Sequence, residues 1–135
     1  MADRILRIGG ASGFWGDAAR ATPQLLGVEN LDYIVYDYLA EITMSIMARA
    51  RAKDERTGYA LDFVSAAMQP NLATIAERGI KVISNAGGVN PQACAEALLP
   101  AVLDVLGIDT GPALQLYPHR HGCDGFYAAV LTRTA

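Results

Sequence analysis

Three short runs of aliphatic, β-branched and aromatic residues lead this chain: Ile5-Leu6-Arg7-Ile8, Tyr33-Ile34-Val35-Tyr36 and Ile80-Lys81-Val82-Ile83-Ser84. Such runs are strand-formers. Each is followed by a turn-forming segment or a polar end, and then by residues of helical character. The resulting order, β-α-β-α-α-β-α, constrains the fold more than any other feature. Strands joined through helices run parallel, because a crossover returns the chain to the same end of the sheet. The expected fold is α/β: a three-layer, Rossmann-like, mainly parallel sheet with helices on both faces.

The helical stretches carry their own punctuation. Residues 17–26 read as helix, with Pro23 interrupting and Gly27 placed to end it. Across residues 40–52 the period changes, so that Ile42, Ile46 and Met47 share one face. Arg49, Arg51 and Lys53 gather at the C-terminal end, where cations suit the helix dipole. Residues 54–58 form a polar link, and residues 61–78 a second helical region that Pro70 divides and Gly79 stops. Asn90-Pro91 fits an N-cap followed by proline at the first helical position, opening a helix to about Leu106 that Pro100 is placed to bend. The pattern changes near Gly107. Residues 107–112 are a turn-rich link, and residues 113–117 and 125–132 are strand-like, spaced for an antiparallel hairpin on the same sheet. The expected organisation is an α/β domain over residues 1–106, the link, and a hairpin tail over residues 113–135.

Bulk composition removes several function classes. A chain of 135 residues that is 52% hydrophobic and 19% charged has the material for one packed core. A net charge of -3, with no long basic run, offers no general attraction to nucleic acid or to an anionic membrane. No apolar stretch reaches the roughly 20 residues of a membrane span. Met1-Ala2-Asp3-Arg4 is not followed by the apolar segment of a signal peptide. With two cysteines, Cys94 and Cys123, no disulfide framework is expected. The expected compartment is the cytoplasm.

Ligands of open parallel sheets bind beyond the C-terminal ends of the strands, so the segments there are the candidate site. The first is the loop Gly9-Gly10-Ala11-Ser12-Gly13-Phe14-Trp15-Gly16-Asp17. Gly9, Gly10, Ser12, Gly13 and Gly16 would let backbone N–H groups approach an anion ahead of a helix N-terminus. The spacing is neither G-x-G-x-x-G nor a P-loop, so no particular cofactor follows, and the loop reads equally as a structural turn. The second segment is Asp37-Tyr38-Leu39-Ala40-Glu41. Asp37 ends a strand and Glu41 lies four residues on, a spacing suited to an acid–base pair or a metal; Asp37 can instead simply cap the next helix. The third is Asn85-Ala86-Gly87-Gly88-Val89-Asn90-Pro91. Asn85 can hydrogen-bond a ligand, and Gly87 and Gly88 can let it come close. Cys94 sits among small residues and reads as a packing cysteine. His119, His121 and Cys123 offer three donors for a metal, but their spacing matches no recognised pattern and no fourth ligand is evident, so no metal is assigned.

Taken together, the three strand-end segments resemble the start of the acyclic terpene utilisation family, typified by AtuA, over about residues 4–106. Members accompany bacterial gene clusters for degrading branched isoprenoid acids. The resemblance therefore implies a catabolic pathway, and a small anionic ligand such as an isoprenoid acid or its acyl-CoA, more than a defined reaction. Asp37, Glu41 and Asn85 would then be the polar groups that do chemistry, and the glycines would hold the anion. The family is normally several times longer, so the expectation is a truncated or recombined domain. The tail, with Pro118-His119 and Asp124-Gly125-Phe126, resembles the last hairpin of RNA cytosine-5 methyltransferases. The alternatives are thus an RNA-related fragment, or a ligand-free structural module that associates with its own copies.

Overall fold

In the computed structural model the residues described are 5–11, 18–106 and the pair 127–128. Strands β1 (Ile8–Gly10), β2 (Tyr33–Tyr36) and β3 (Lys81–Ser84) form a parallel sheet with β2 in the middle. A short β4 (Tyr127–Ala128) adds to β3 in antiparallel sense. Between them run α1 (Ala18–Leu26), α2 (Glu41–Lys53), a π-helical segment (Phe63–Met68), α3 (Leu72–Glu77) and α4 (Pro91–Leu106). The mixed α/β fold and its parallel sheet are as expected. The proposed hairpin partner of β4 lies outside the described residues.

The register aligns Ile8 with Tyr33 and Lys81, Gly9 with Ile34 and Val82, and Gly10 with Val35 and Ile83. Aligned residues of parallel strands face the same way, so Gly9, Ile34 and Tyr36 share one face. That face is the core: Ile34 and Tyr36 are 0% and 1% exposed. On the opposite face Ile8 is 63% exposed. Helix α1 and α4 both pack against the π segment, and α3 against α4, so these elements form one layer. The strand order explains this. When β1, β2 and β3 step in one direction, right-handed crossovers place both connections on the same face. These four elements thus lie in one layer, and the helices expected on both faces of the sheet are not seen among them.

Two local expectations also change. The first strand does not stop at Gly9-Gly10 but runs through them, because the ladder to Ile34 and Val35 continues. Gly9 permits this: a Cβ there would lie 2.6 Å from Leu25 Cδ2 of α1. In α2, Met47 is buried, whereas Ile42 and Ile46 are 67% and 41% exposed. The helix meets the rest of the protein through Met47 and, one turn on, Arg51, whose guanidinium donates to the Val89 carbonyl. The punctuation at Pro70, Gly79 and Pro91 is as read: the π segment ends before Pro70, Gly79 leaves α3 at φ +64, and Pro91 opens α4. Helices α1 and α4 both run on through their prolines, Pro23 and Pro100.

Candidate functional site

The register of β2 and β3 builds the site. Tyr36 pairs with Ser84, so the next residues, Asp37 and Asn85, leave the sheet side by side. The Asn85 N–H still donates to the Tyr36 carbonyl at 3.4 Å. The Asn85 side chain then bridges the two segments. Its Nδ2 donates to Asp37 Oδ1 at 2.7 Å, and its Oδ1 accepts from the Tyr38 N–H at 2.7 Å. One amide thus holds a carboxylate in place and satisfies a half-buried backbone donor. Asp37 is exposed, Asn85 half-buried and Tyr38 buried. On the neighbouring strand Gly10 is exposed, and a Cβ built on it would meet nothing within 4 Å. Gly10, Asp37 and Asn85 therefore follow one another across the C-terminal edge of the sheet.

Asp37 is not the cap of α2. That position belongs to Ala40, whose N–H donates to Thr43 Oγ1 at 2.7 Å. Ala40 is extended, with φ -144 and ψ 168, so the segment from Asp37 to Glu41 is not one helical turn. Glu41 is exposed at the first position of α2. The helical spacing assumed for this carboxylate pair does not hold.

The second glycine loop is filled by the protein's own atoms. Gly88 has φ +53, and a Cβ there would strike Met47 Sδ and lie 2.8 Å from the Gly58 carbonyl oxygen. A Cβ on Gly87 would lie 2.8 Å from Pro91 Cβ. Both glycines are accounted for by close packing of the turn against α2, the 54–58 link and the start of α4. Asn90 contributes to the same packing. Its Nδ2 donates to the carbonyls of Glu55 and Thr57 at 2.7 and 2.8 Å. Sequence reading assigned Asn90 only as a cap; its hold on the link depends on tertiary contacts that no spacing reveals. Ser12, Gly13 and Gly16 lie outside the described residues, as do His119, His121 and Cys123.

Beneath the strand ends is an aromatic cluster that the sequence did not announce. The Tyr36 and Tyr38 rings stack with centroids 6.3 Å apart, and Phe63 stands edge-on to both at 5.3 and 5.9 Å. The Tyr36 hydroxyl pairs with Thr22 Oγ1 at 2.8 Å, and burial pushes its pKa up to about 12. The Tyr38 hydroxyl is buried and, among the described residues, has no hydrogen-bond partner. Burial, and then the nearby Asp62 carboxylate, push its pKa well above the usual tyrosine range. Cys94 is buried too, and burial raises its thiol to about 12, as suits a packing cysteine.

A separate cleft of about 510 Å³ opens at the start of α4, lined by Arg51, Arg56, Tyr59 and Asn90 among others. Both arginines are engaged there, Arg51 by the Val89 carbonyl and Arg56 by Asp54 at 3.0 Å. Among the described residues, no three His, Cys, Asp or Glu side chains are grouped to hold a metal, and no helix is long and apolar enough to cross a membrane.

Comparison with known proteins gives one family match. The model of the acyclic terpene utilisation family protein AtuA matches residues 6–110. No match was found among curated proteins or among solved structures. The likeness of the tail to RNA cytosine-5 methyltransferases gains no support from these comparisons.

Proposed function

This chain belongs to the acyclic terpene utilisation family, whose model covers well over half of it, and on that premise we propose that its strand-end site binds a small anionic organic ligand. The chemistry fits an isoprenoid acid or its acyl-CoA thioester. One observation carries the reading: Asp37 and Asn85, 48 residues apart in sequence, are hydrogen-bonded at 2.7 Å where parallel strands end, the place at which such sheets bind ligands. A carboxylate held by an amide is an acceptor of fixed direction, able to take a hydrogen bond or a proton from a ligand. Glu41, at the start of α2, is the second carboxylate of the proposed site. Gly10 leaves open backbone for the anionic end of the ligand, ahead of the positive end of α1.

A thermal-shift series tests this. Inorganic phosphate, a branched isoprenoid acid and an acyl-CoA thioester are each added at millimolar concentration to the wild-type protein and to Asp37→Asn. A ligand at 100 times its Kd adds about 2.7 kcal/mol of stability. The expected result is stabilisation of the wild type by the acid or the thioester, and a smaller effect in Asp37→Asn. No stabilisation by any probe, or an equal effect in both proteins, counts against the proposal.

A further inference from the structure

Tyr38 ties the surface of the candidate site to the core. Its N–H is held by Asn85, the residue that also holds Asp37. Its ring turns inward among Tyr36 and Phe63, and the residue is only 2% exposed. The hydroxyl at the end of that ring is buried and, among the described residues, has no partner. Leaving a buried hydroxyl unpaired destabilises a fold, and phenylalanine would fill the same space without that penalty. Its neighbour Tyr36 has its own hydroxyl satisfied by Thr22, so the cluster can provide a partner where one is needed. A buried polar group left unpaired in a native fold calls for an explanation, and a contact made only when a ligand binds is one.

We infer that Tyr38 is a specificity-determining residue of the strand-end site, its hydroxyl donating a hydrogen bond to a neutral carbonyl oxygen of the ligand. This rests on the proposed strand-end binding. The surroundings select the acceptor. The phenol is held protonated, so it acts as a donor. Asp62 close by disfavours a second anion, so the acceptor is the carbonyl of an ester or thioester and not a free carboxylate. In the described state Phe63 closes against the ring, so the ligand must displace that side of the cluster. Phe63 begins the π segment, in which the Gln69 N–H reaches back five residues to the Val64 carbonyl. Single turns of this width recur at functional sites.

The test compares an acyl-CoA thioester with free coenzyme A, which lacks the carbonyl, by calorimetric titration of the wild-type protein and Tyr38→Phe. Melting temperatures of both proteins are taken without ligand. The expected result has three parts. The wild type prefers the thioester by about tenfold, one good hydrogen bond. Tyr38→Phe loses that preference while keeping its affinity for coenzyme A. Without ligand, Tyr38→Phe melts at the same temperature as the wild type or higher. A lower melting temperature shows that the hydroxyl already has an internal partner and overturns the inference, as does an unchanged preference in Tyr38→Phe. If Asp37→Asn weakens both probes while Tyr38→Phe changes neither, the strand-end reading stands and the Tyr38 assignment fails. If neither probe binds the wild type, both fail together.

Discussion

Replacing Asn85 by alanine removes both hydrogen bonds of the strand-end bridge at once. The two losses are unequal. The bond to Asp37 is exposed, and water can replace it at little cost. The Tyr38 N–H is half-buried, and without Asn85 Oδ1 it loses its acceptor. A buried donor left unpaired costs about 1–3 kcal/mol, which in a domain of this size lowers the melting temperature by about 3–10 °C. Circular dichroism melts of wild type and Asn85→Ala read this directly. Asn85→Asp separates the two bonds. It keeps an acceptor for Tyr38 but sets a second carboxylate against Asp37. Like charges at that range raise the pKa of one carboxyl in the folded state above its unfolded value of about 4. A group raised in this way destabilises the fold when ionised. The deficit is therefore full at pH 7–8 and shrinks as pH falls toward 4. An Asn85→Ala protein within about 0.5 kcal/mol of wild type, or an Asn85→Asp deficit that does not change with pH, refutes the bridge.

Other consequences are simpler to read. Gly88→Ala should cost at least about 2 kcal/mol in urea unfolding, since it forces a Cβ to φ +53 and into Met47 and the Gly58 carbonyl. Gly10→Ala, with nothing within 4 Å of the new Cβ, should stay within about 0.5 kcal/mol of wild type yet weaken ligand binding. Burial raises Cys94 and Tyr36 to about 12 and lifts Tyr38 further, so the unfolded chain releases these protons first. Stability should fall as pH rises from about 9 toward 12, and Cys94 should resist alkylation at pH 8 until urea is added; mass spectrometry of its peptide checks this.

Much of the frame was legible because it depends on local rules. β2 and β3 are dense in β-formers, and Pro70, Gly79 and Pro91 act through their own backbones. Asp37 and Asn85 were both legible as strand-end residues, but the hydrogen bond between them depends on the register of β2 and β3. What escaped depends on partners distant in sequence. Gly9 and Gly10 read as a stop, but pairing with β2 overrides their low strand propensity. The periodicity of α2 gives Ile42, Ile46 and Met47 equal standing, and contact with the 85–90 turn selects Met47 alone. Helices on both faces were inferred from alternation, but alternation does not determine the order of strands in the sheet. No spacing marks Tyr38, and only its packing against Phe63 leaves its hydroxyl without a partner among the described residues.

Ligands are expected to meet this protein at the C-terminal edge of its sheet. Amide chemical-shift mapping by nuclear magnetic resonance, with a branched isoprenoid acid and an acyl-CoA thioester as titrants, tests it most directly. Saturable shifts concentrated at Gly10, Ala11, Asp37, Tyr38, Asn85 and Ala86 are the expected result. Shifts that cluster instead around the Arg51–Asn90 cleft, or an absence of saturable shifts at the strand ends, would contradict it.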